Sequence, residues 1–169
     1  MLKIINDLKP FFEDCYRRIS VREYAKIMRI SPPTASKTLA RHKAEGLLLR
    51  SRYRNYLFFH ADSENKKFID LSKIYWSERL NEFASGAEKK LTKPVIILFG
   101  SLSKAEAKED SDVDLAIFAH KKELNTTIFE KKMGRKLQIH WFESIRGIKN
   151  TELANNILNG YVLRGRLGL

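Results

Sequence analysis

Two carboxylates near the middle of the chain have the type and spacing that suit metal-assisted chemistry. Asp112 immediately precedes the apolar run VDLAIF and Asp114 is its second residue, and alternate residues of a strand point to the same face. The two side chains are therefore expected side by side, where like charges repel each other unless a cation lies between them. Hard divalent ions, Mg²⁺ or Mn²⁺, suit such a pair when a substrate phosphate completes the coordination shell.

A Gly-Ser turn precedes these carboxylates by ten residues. Gly100 and Ser101 follow the apolar run IILF and are predicted to open a short helix. Backbone N–H groups and a hydroxyl at such a turn can bind a phosphate, and Lys104 adds a positive charge. A phosphate cradle beside a metal-binding pair indicates phosphoryl or nucleotidyl transfer. The alternative is a half-buried strand whose carboxylates face solvent beside an ordinary loop, with Lys104 as a surface lysine.

The composition is that of a globular protein with an anionic partner. The chain has 169 residues, of which 43% are hydrophobic, and its net charge is +12. Residues 1–62 hold 13 Lys and Arg against six Asp and Glu, which favours nucleic acid as the partner. One cysteine excludes an internal disulfide, and Cys15 is expected in a helix as a small buried residue. No membrane-spanning run or signal-peptide core is visible, so the sequence predicts a cytoplasmic protein without a membrane partner.

The N-terminal third has the pattern of two short helices followed by a hairpin. A first amphipathic helix, interrupted or delayed by Pro10, precedes a capping box at Ser20 that starts a helix over 21–28. Ser31 and Pro32 then start a second helix, which is predicted to end near Glu45 before Gly46. Two strands, 47–53 and 56–60, flank Arg54-Asn55 and indicate a hairpin.

The segment 27–59 resembles winged helix-turn-helix regulators of the MarR and ArsR kind. The second helix turns polar and basic side chains outward, and the hairpin carries three arginines. The resemblance implies duplex DNA binding and transcription regulation, with the helix in the major groove and the hairpin arginines at phosphate or the minor groove. The residues expected to contact DNA are Thr34, Ser36, Lys37, Arg41, Arg50, Arg52 and Arg54. The alternative is a winged helix used only as a protein-interaction or structural module.

The remaining elements complete an α+β fold. Residues 65–90 have a helical pattern, either one helix or two with a break near Ser85-Gly86, and their apolar stripe is either core or the seam of a homodimer. Strands over 95–99, 112–118 and 136–142, helices over 124–133 and 151–158, and a short strand or arm over 160–163 follow. They predict a small mixed sheet with helices, in which Ile128, Phe129 and Met133 face inward.

The predicted domains are therefore a winged helix over 1–62, a linker helix over 63–91 and a small α+β domain over 92–169. The region over roughly 92–163 resembles the minimal nucleotidyltransferases of the DNA polymerase beta superfamily. The resemblance lies in a Gly-Ser pair, here Gly100 and Ser101, followed after ten residues by Asp-x-Asp, here Asp112 and Asp114. The resemblance implies that Asp112 and Asp114 bind Mg²⁺ and that Gly100 and Ser101 hold the triphosphate of a nucleoside triphosphate.

This chain departs from that family's pattern where active members usually carry a third acid on a later strand. The matching strand here is 136–142. Because alternate residues of a strand share a face, Gln138, His140 and Phe142 lie together, and none of them is an acid. His140 is a candidate base or late metal ligand, or a histidine packed at a sheet edge. Many minimal members have an Arg-Gly pair after Ser101. This chain lacks the pair, and Lys104 is the nearby positive charge that could contact a phosphate.

Two functions follow from these patterns. The first is transfer of a nucleoside monophosphate to an unknown acceptor, such as a toxin-like partner protein, a small molecule or a nucleic acid. The second is a transcriptional regulator whose nucleotidyltransferase fold is catalytically degenerate and senses nucleotide or binds a partner. The missing third acid favours the second function, and the intact Gly-Ser and both aspartates favour the first.

Overall fold

The computed structural model describes residues 2–168 and places six α-helices and seven β-strands in that range. The helices are α1 (Lys3–Glu13), α2 (Val21–Met28), α3 (Pro32–Ala44), α4 (Lys66–Lys90), α5 (Thr127–Met133) and α6 (Thr151–Leu158). The strands are β1 (Ile19–Ser20), β2 (Leu48–Tyr53), β3 (Tyr56–Ala61), β4 (Val95–Phe99), β5 (Val113–Phe118), β6 (Leu137–Phe142) and β7 (Tyr161–Arg164). No helix of the described range is both long and apolar enough to cross a membrane. The predicted α+β content is confirmed.

The described chain divides into two compact units. The first holds the residues up to Tyr75 together with 105–109, and the second holds Trp76–Lys104 and the residues from Asp110 onward. Helix α4 contributes to both units, because the division falls between Tyr75 and Trp76. The predicted domain boundaries, after residues 62 and 91, enclose α4 without dividing it and stay predictions.

The first unit contains an antiparallel sheet in the order β1-β3-β2. Strands β2 and β3 form the predicted hairpin, in which Tyr53 pairs with Tyr56 and Arg54-Asn55 make the two-residue turn. Arg54 has a φ of 53°, a left-handed conformation that two-residue turns require and that glycine adopts most easily.

The predicted starts of α2 and α3 are confirmed by their caps. Ser20 accepts a hydrogen bond from the Glu23 N–H, and Ser31 accepts one from the Thr34 N–H. Helix α3 ends at Ala44, one residue before the predicted end, and Gly46 follows with a φ of 73°. Ala35, Leu39 and His42 of α3 are buried as predicted.

Two predictions about the first helix are wrong. Helix α1 continues through Pro10, although proline removes the N–H that would bond the Asn6 carbonyl. Burial compensates for the loss, because Pro10 and its apolar neighbours Leu8 and Phe11 lie in the core. Cys15 is buried as predicted but lies in a turn after α1 rather than in a helix, since the chain must turn there to reach β1.

The second unit contains the predicted mixed sheet, in the order β6-β5-β4-β7. Strand β5 runs parallel to β6 and antiparallel to β4, and β7 pairs antiparallel with the other side of β4. Residues of both faces of the two central strands are buried, among them Ile96 and Ile97 of β4 and Leu115 and Ala116 of β5. Helix α6 packs through Ile157 against the face that carries Ile97, Phe99, Ala116 and Phe118.

The two helices before and after the central strands differ in part from the predictions. Helix α4 is one continuous helix through Gly86, which settles the choice between one helix and two. Helix α5 begins at Thr127 rather than near Leu124, and Ile128 is 66% exposed rather than inward. Phe129 and Met133 are four residues apart and share the inward face, whereas Ile128 lies about 100° around the helix from Phe129.

Gly160 marks a close approach between α6 and β4, and its replacement tests this packing. An added Cβ would lie 2.5 Å from the Leu98 carbonyl oxygen, whereas a Cβ at Gly86 would meet nothing within 4 Å. We expect Gly160→Ala to destabilise the fold by about 1–3 kcal/mol, as overpacking does. Gly86→Ala should stabilise it by about 1 kcal/mol through helix propensity. Urea unfolding of the two variants measures both changes, and equal effects of the two substitutions would contradict the close approach.

Candidate functional site

The carboxylate pair lies where β4 and β5 end beside each other. Phe99, the last residue of β4, pairs with Asp114, so the chain leaves β4 at Gly100 immediately beside the Asp114 side chain. Gly100 has a φ of 74°, and a Cβ there would overlap the Oδ2 atom of Asp114. Any other residue would strain the backbone at this φ and would have to displace the Asp114 carboxylate.

Gln138 lies beside both aspartates. In the parallel pairing of β5 with β6, Asp114 is opposite Gln138. Asp112 immediately precedes β5, and its Oδ2 accepts a hydrogen bond of 2.6 Å from the Gln138 Nε2. The side chain of β6 that contacts the carboxylate pair is therefore a neutral amide and not an acid.

The pKa of the Asp114 carboxyl is raised. Partial burial raises its pKa, the nearby His140 imidazole lowers it and the Asp112 charge raises it, with a net upward shift. The His140 ring is half-buried and lies edge-on to the Phe99 ring, with 5.3 Å between centroids. A carboxylate with a raised pKa gains most from a cation that replaces its lost hydration.

The Gly-Ser turn leads into a short 3₁₀ helix, Ser101–Lys104, as the sequence predicts. The Ser103 hydroxyl donates to the Gly100 carbonyl at 2.9 Å, and Leu102 and Ser103 are buried. This anchor fixes the turn and leaves Ser101 half-buried and Lys104 exposed. The Lys104 Nζ donates to the Asn156 Oδ1 on α6 at 2.9 Å, a partner 52 residues away that no local pattern could indicate.

Arg135 supports the approach to the carboxylates and was not singled out from the sequence. Its side chain is buried, and one guanidinium nitrogen donates to the Ser111 carbonyl at 2.6 Å. The guanidinium also lies 5.1 Å from the centroid of the Trp76 ring. Arg135 therefore fixes the residue before Asp112. Its position after Gly134, at the end of α5, carried no signal of this contact.

The residues at the site fit a divalent cation that keeps several ligands from outside the protein. No group of three or more His, Cys, Asp or Glu side chains in residues 2–168 is arranged to hold a metal alone. Two adjacent carboxylates are a donor set that Mg²⁺ accepts when water and substrate phosphates supply its other oxygens. The Gln138 hydrogen bond uses one lone pair of Asp112 and leaves the remaining carboxylate lone pairs of the two aspartates available.

The residues predicted to contact DNA all lie in the first unit, and most are exposed. On α3, Thr34, Ser36 and Lys37 face solvent. The Arg41 guanidinium is 48% exposed but forms an ion pair with Asp7 on α1, with 2.9 Å between NH2 and Oδ2. The same Asp7 oxygen lies 3.3 Å from the Nε2 of the buried His42. Arg41 therefore helps to hold α3 against α1 and is less available to a ligand.

The arginines of the β2–β3 hairpin are likewise exposed. In the strand register Arg50 lies opposite Phe59 and Arg52 opposite Leu57, so these two arginines share a face of β2. Near the turn, the Arg52 Nε donates to the Arg54 carbonyl at 3.2 Å, and the Arg54 guanidinium lies 5.5 Å from the centroid of the Tyr53 ring. Within residues 2–168 no ion pair engages these three side chains, which leaves their charges available.

Comparison with known proteins identifies the second unit. Residues 81–164 match the family model described as "Polymerase beta, Nucleotidyltransferase". The second unit carries a nucleotidyltransferase-like domain. The matched region runs from within α4 to the last residue of β7 and includes the Gly-Ser turn, both aspartates, Gln138 and His140. The predicted resemblance to this superfamily is therefore confirmed for the C-terminal part of the chain.

The other two comparisons add little. A solved structure of a Lactococcus lactis ZitR mutant aligns with a TM-score of 0.37 and 16% sequence identity, over 52% of this chain and 61% of that chain. A similarity of this size does not establish a shared fold. No curated protein matches the chain.

The raised pKa of Asp114 predicts a stability effect in the absence of divalent ions. A carboxyl whose pKa is raised on folding stabilises the native state below its unfolded pKa, and this contribution is lost as pH rises through the folded pKa. Asp114→Asn removes the free-energy cost of holding an ionised carboxylate at this partly buried position. We therefore expect a melting temperature about 1–3 °C above that of the unaltered protein at pH 7 with EDTA. The difference should shrink as pH falls toward 4. Asp110→Asn, at an exposed carboxyl, is the control, and a lower melting temperature for Asp114→Asn would contradict the assignment.

Proposed function

We propose that this protein is a DNA-binding, Mg²⁺-dependent nucleotidyltransferase that transfers a nucleoside monophosphate from a nucleoside triphosphate to an acceptor. The observation that carries the catalytic half is the contact of Gly100 with the Asp114 carboxylate, beside Asp112, within the region that matches the family model. A backbone turn pressed against a carboxylate pair brings a phosphate-binding surface next to a cation-binding one.

Each residue of the site would have a distinct role. The backbone and hydroxyl of Gly100-Ser101 would hold the triphosphate, with the Lys104 ammonium at its edge. Asp112 and Asp114 would hold Mg²⁺ or Mn²⁺, which would supply charge neutralisation for the departing pyrophosphate. His140, on the same face as Gln138, would take the proton of the acceptor hydroxyl as it attacks the α-phosphate. Protein, small-molecule and nucleic-acid acceptors all suit this chemistry, including a toxin-like partner protein.

Label transfer tests the catalytic half. The protein is incubated with each of four labelled nucleoside triphosphates, Mg²⁺ or Mn²⁺, and cell lysate as the source of acceptor. We expect transfer with at least one nucleotide, and a loss of at least about 100-fold in Asp112→Ala/Asp114→Ala, because removing the cation's only protein ligands removes its charge stabilisation.

The matched control is Glu109→Ala/Asp110→Ala, which removes two exposed carboxylates close in sequence and changes the net charge equally. This control should retain full transfer. Absence of transfer with all four nucleotides and both metals, or equal transfer by the two double variants, would exclude the proposed reaction.

A second candidate function is nucleotide sensing by a domain that no longer catalyses. The hydrogen bond from Gln138 to Asp112 favours it, because an amide can neither accept a proton from an attacking hydroxyl nor add negative charge for a cation. Under this function the protein binds a nucleoside triphosphate with Mg²⁺ but transfers nothing, while Gln138→Glu gains transfer. Nucleotide binding by calorimetry, run beside the transfer assay on both proteins, separates the two functions.

The DNA-binding half of the proposal assigns the first unit as a winged helix, with α3 as the recognition helix and the β2–β3 hairpin as the wing. Three features support it: the capped pair α2–α3, the exposed polar side chains of α3, and the exposed arginines of the hairpin. The excess of Lys and Arg over residues 1–62 supplies the charge that phosphate binding needs. A homodimer would match paired half-sites, and regulation of transcription would follow from binding near a promoter.

A mobility-shift titration tests the wing. With duplex DNA from upstream of the protein's own gene, Arg52→Ala/Arg54→Ala should weaken binding and reduce the slope of log K against log salt by about 1.8, for two lost phosphate contacts. Arg146→Ala/Lys149→Ala removes the same charge from exposed positions of the second unit and should leave the slope unchanged. Equal slopes for the two double variants would refute the wing assignment.

A further inference from the structure

We propose that a groove between α4 and α5 binds an acidic segment of a partner protein by accepting one bulky apolar side chain. The groove lies wholly in the second unit and shares no residue with the carboxylate site, so the proposal is independent of nucleotidyl transfer. Its lining residues come from α4, from α5 and from the segment before α5.

The groove has the size and lining of an apolar side-chain pocket. Its volume is about 150 Å³, and an apolar protein cavity of about that volume accommodates benzene. The ring of Phe129 meets that of Phe83 edge-on, with centroids 5.4 Å apart, and the two rings connect the helices. At Gly86 an added Cβ would meet nothing within 4 Å, so this glycine leaves part of the groove wall open.

An exposed apolar residue borders the same groove. Ile128 lines it and is 66% exposed, although the helical pattern of the sequence predicts it as an inward residue. The folded chain leaves this side chain exposed at the edge of the groove, where a bound segment could contact it. Apolar surface beside a concave pocket is typical of a protein-interaction site.

Lysine side chains near the groove favour a negatively charged partner. Lys90 lines it, and the Lys122 Nζ donates to the Lys90 carbonyl at 3.0 Å, which brings a second ammonium to the same end. Within residues 2–168, no carboxylate pairs with Lys90, Lys122 or Lys121. Glu123 lines an adjoining pocket and is the acid that opposes these lysines.

Two other acids of these helices are already engaged. Glu82 of α4 pairs with Lys132 of α5, and Glu130 accepts a hydrogen bond from the Leu137 N–H. The charges near the groove, from Lys90, Lys121, Lys122 and Glu123, therefore sum to a positive value, while the groove lining itself is mainly apolar. That combination fits an acidic segment that carries one aromatic or long aliphatic side chain. A nucleobase fits less well, because its ring nitrogens and carbonyls would meet a lining that is mainly apolar.

A peptide titration followed by NMR tests the proposal on the full-length protein. The probe is a blocked pentapeptide with phenylalanine between two pairs of glutamates. We expect saturable shifts of the backbone amide resonances of Gly86, Ala87 and Ile128. Affinity should fall at least about tenfold when the phenylalanine is replaced by alanine, and it should also fall when the four glutamates are replaced by glutamines.

Two variants and a control locate the binding. Gly86→Leu fills the groove from an open position and should weaken binding at least tenfold without lowering the melting temperature, whereas Gly86→Ala should bind as the unaltered protein does. Ile128→Glu, at an exposed rim position, should also weaken binding by repelling the acidic peptide. The proposal is overturned by the absence of saturable shifts, by equal binding of the alanine peptide, or by equal binding of the Gly86→Leu and Gly86→Ala proteins. Stronger shifts with oligothymidylate than with the peptide would overturn it as well.

Discussion

The contact between Gly100 and the Asp114 carboxylate is the constraint on which the site of the second unit depends. Pairing of β4 with β5 fixes Phe99 opposite Asp114, so the turn that leaves β4 must pass beside a charged side chain. A residue with a Cβ would collide there, and a positive φ favours glycine for the same position. The apolar burial of both central strands holds this arrangement in place. The energy that keeps two acids close together therefore comes from the sheet and not from the acids themselves.

Supporting contacts from distant parts of the chain complete the site. Arg135 fixes the Ser111 carbonyl, Gln138 donates to Asp112, and Asn156 holds the Lys104 ammonium. These contacts orient the two acids and the lysine before any ligand arrives, and such preorganisation is what electrostatic stabilisation of a transferring phosphoryl group requires. Gln138 has a double effect, because it orients Asp112 while withholding the negative charge that an acid would contribute. In the proposed functions, the choice between nucleotide binding and catalysis would therefore depend on one side chain of β6.

The two units present different kinds of exposed surface. The first unit presents arginines on a hairpin and polar side chains on a capped helix, and the second presents a carboxylate pair at one place and an apolar groove with lysines at another. Phosphate contacts by lysine and arginine give binding that weakens steeply with salt. An apolar groove gives binding that depends on the side chain inserted. The proposed nucleic-acid and protein-segment partners would therefore bind through separate physical interactions.

The sequence by itself determined most of the helices and strands and the carboxylate pair beside a Gly-Ser turn, whereas nucleic-acid binding by the basic first unit stays a prediction. Capping residues Ser20 and Ser31, the alternation of β4 and β5, and the Gly-Ser and Asp-x-Asp spacing are local signals, and the structure has helices and strands where they predict them. Predictions failed where packing between residues distant in sequence outweighed the local conformational preference. Burial in the core allowed Pro10 inside α1, and the packing of Phe129 and Met133 turned Ile128 outward. Only the tertiary structure decided which distant side chains complete the site, because Gln138, Arg135 and Asn156 reach it through strand register and helix packing. Strand register and helix packing depend on the apolar surface that the whole sheet buries. The spacing of a few neighbouring residues does not determine that total.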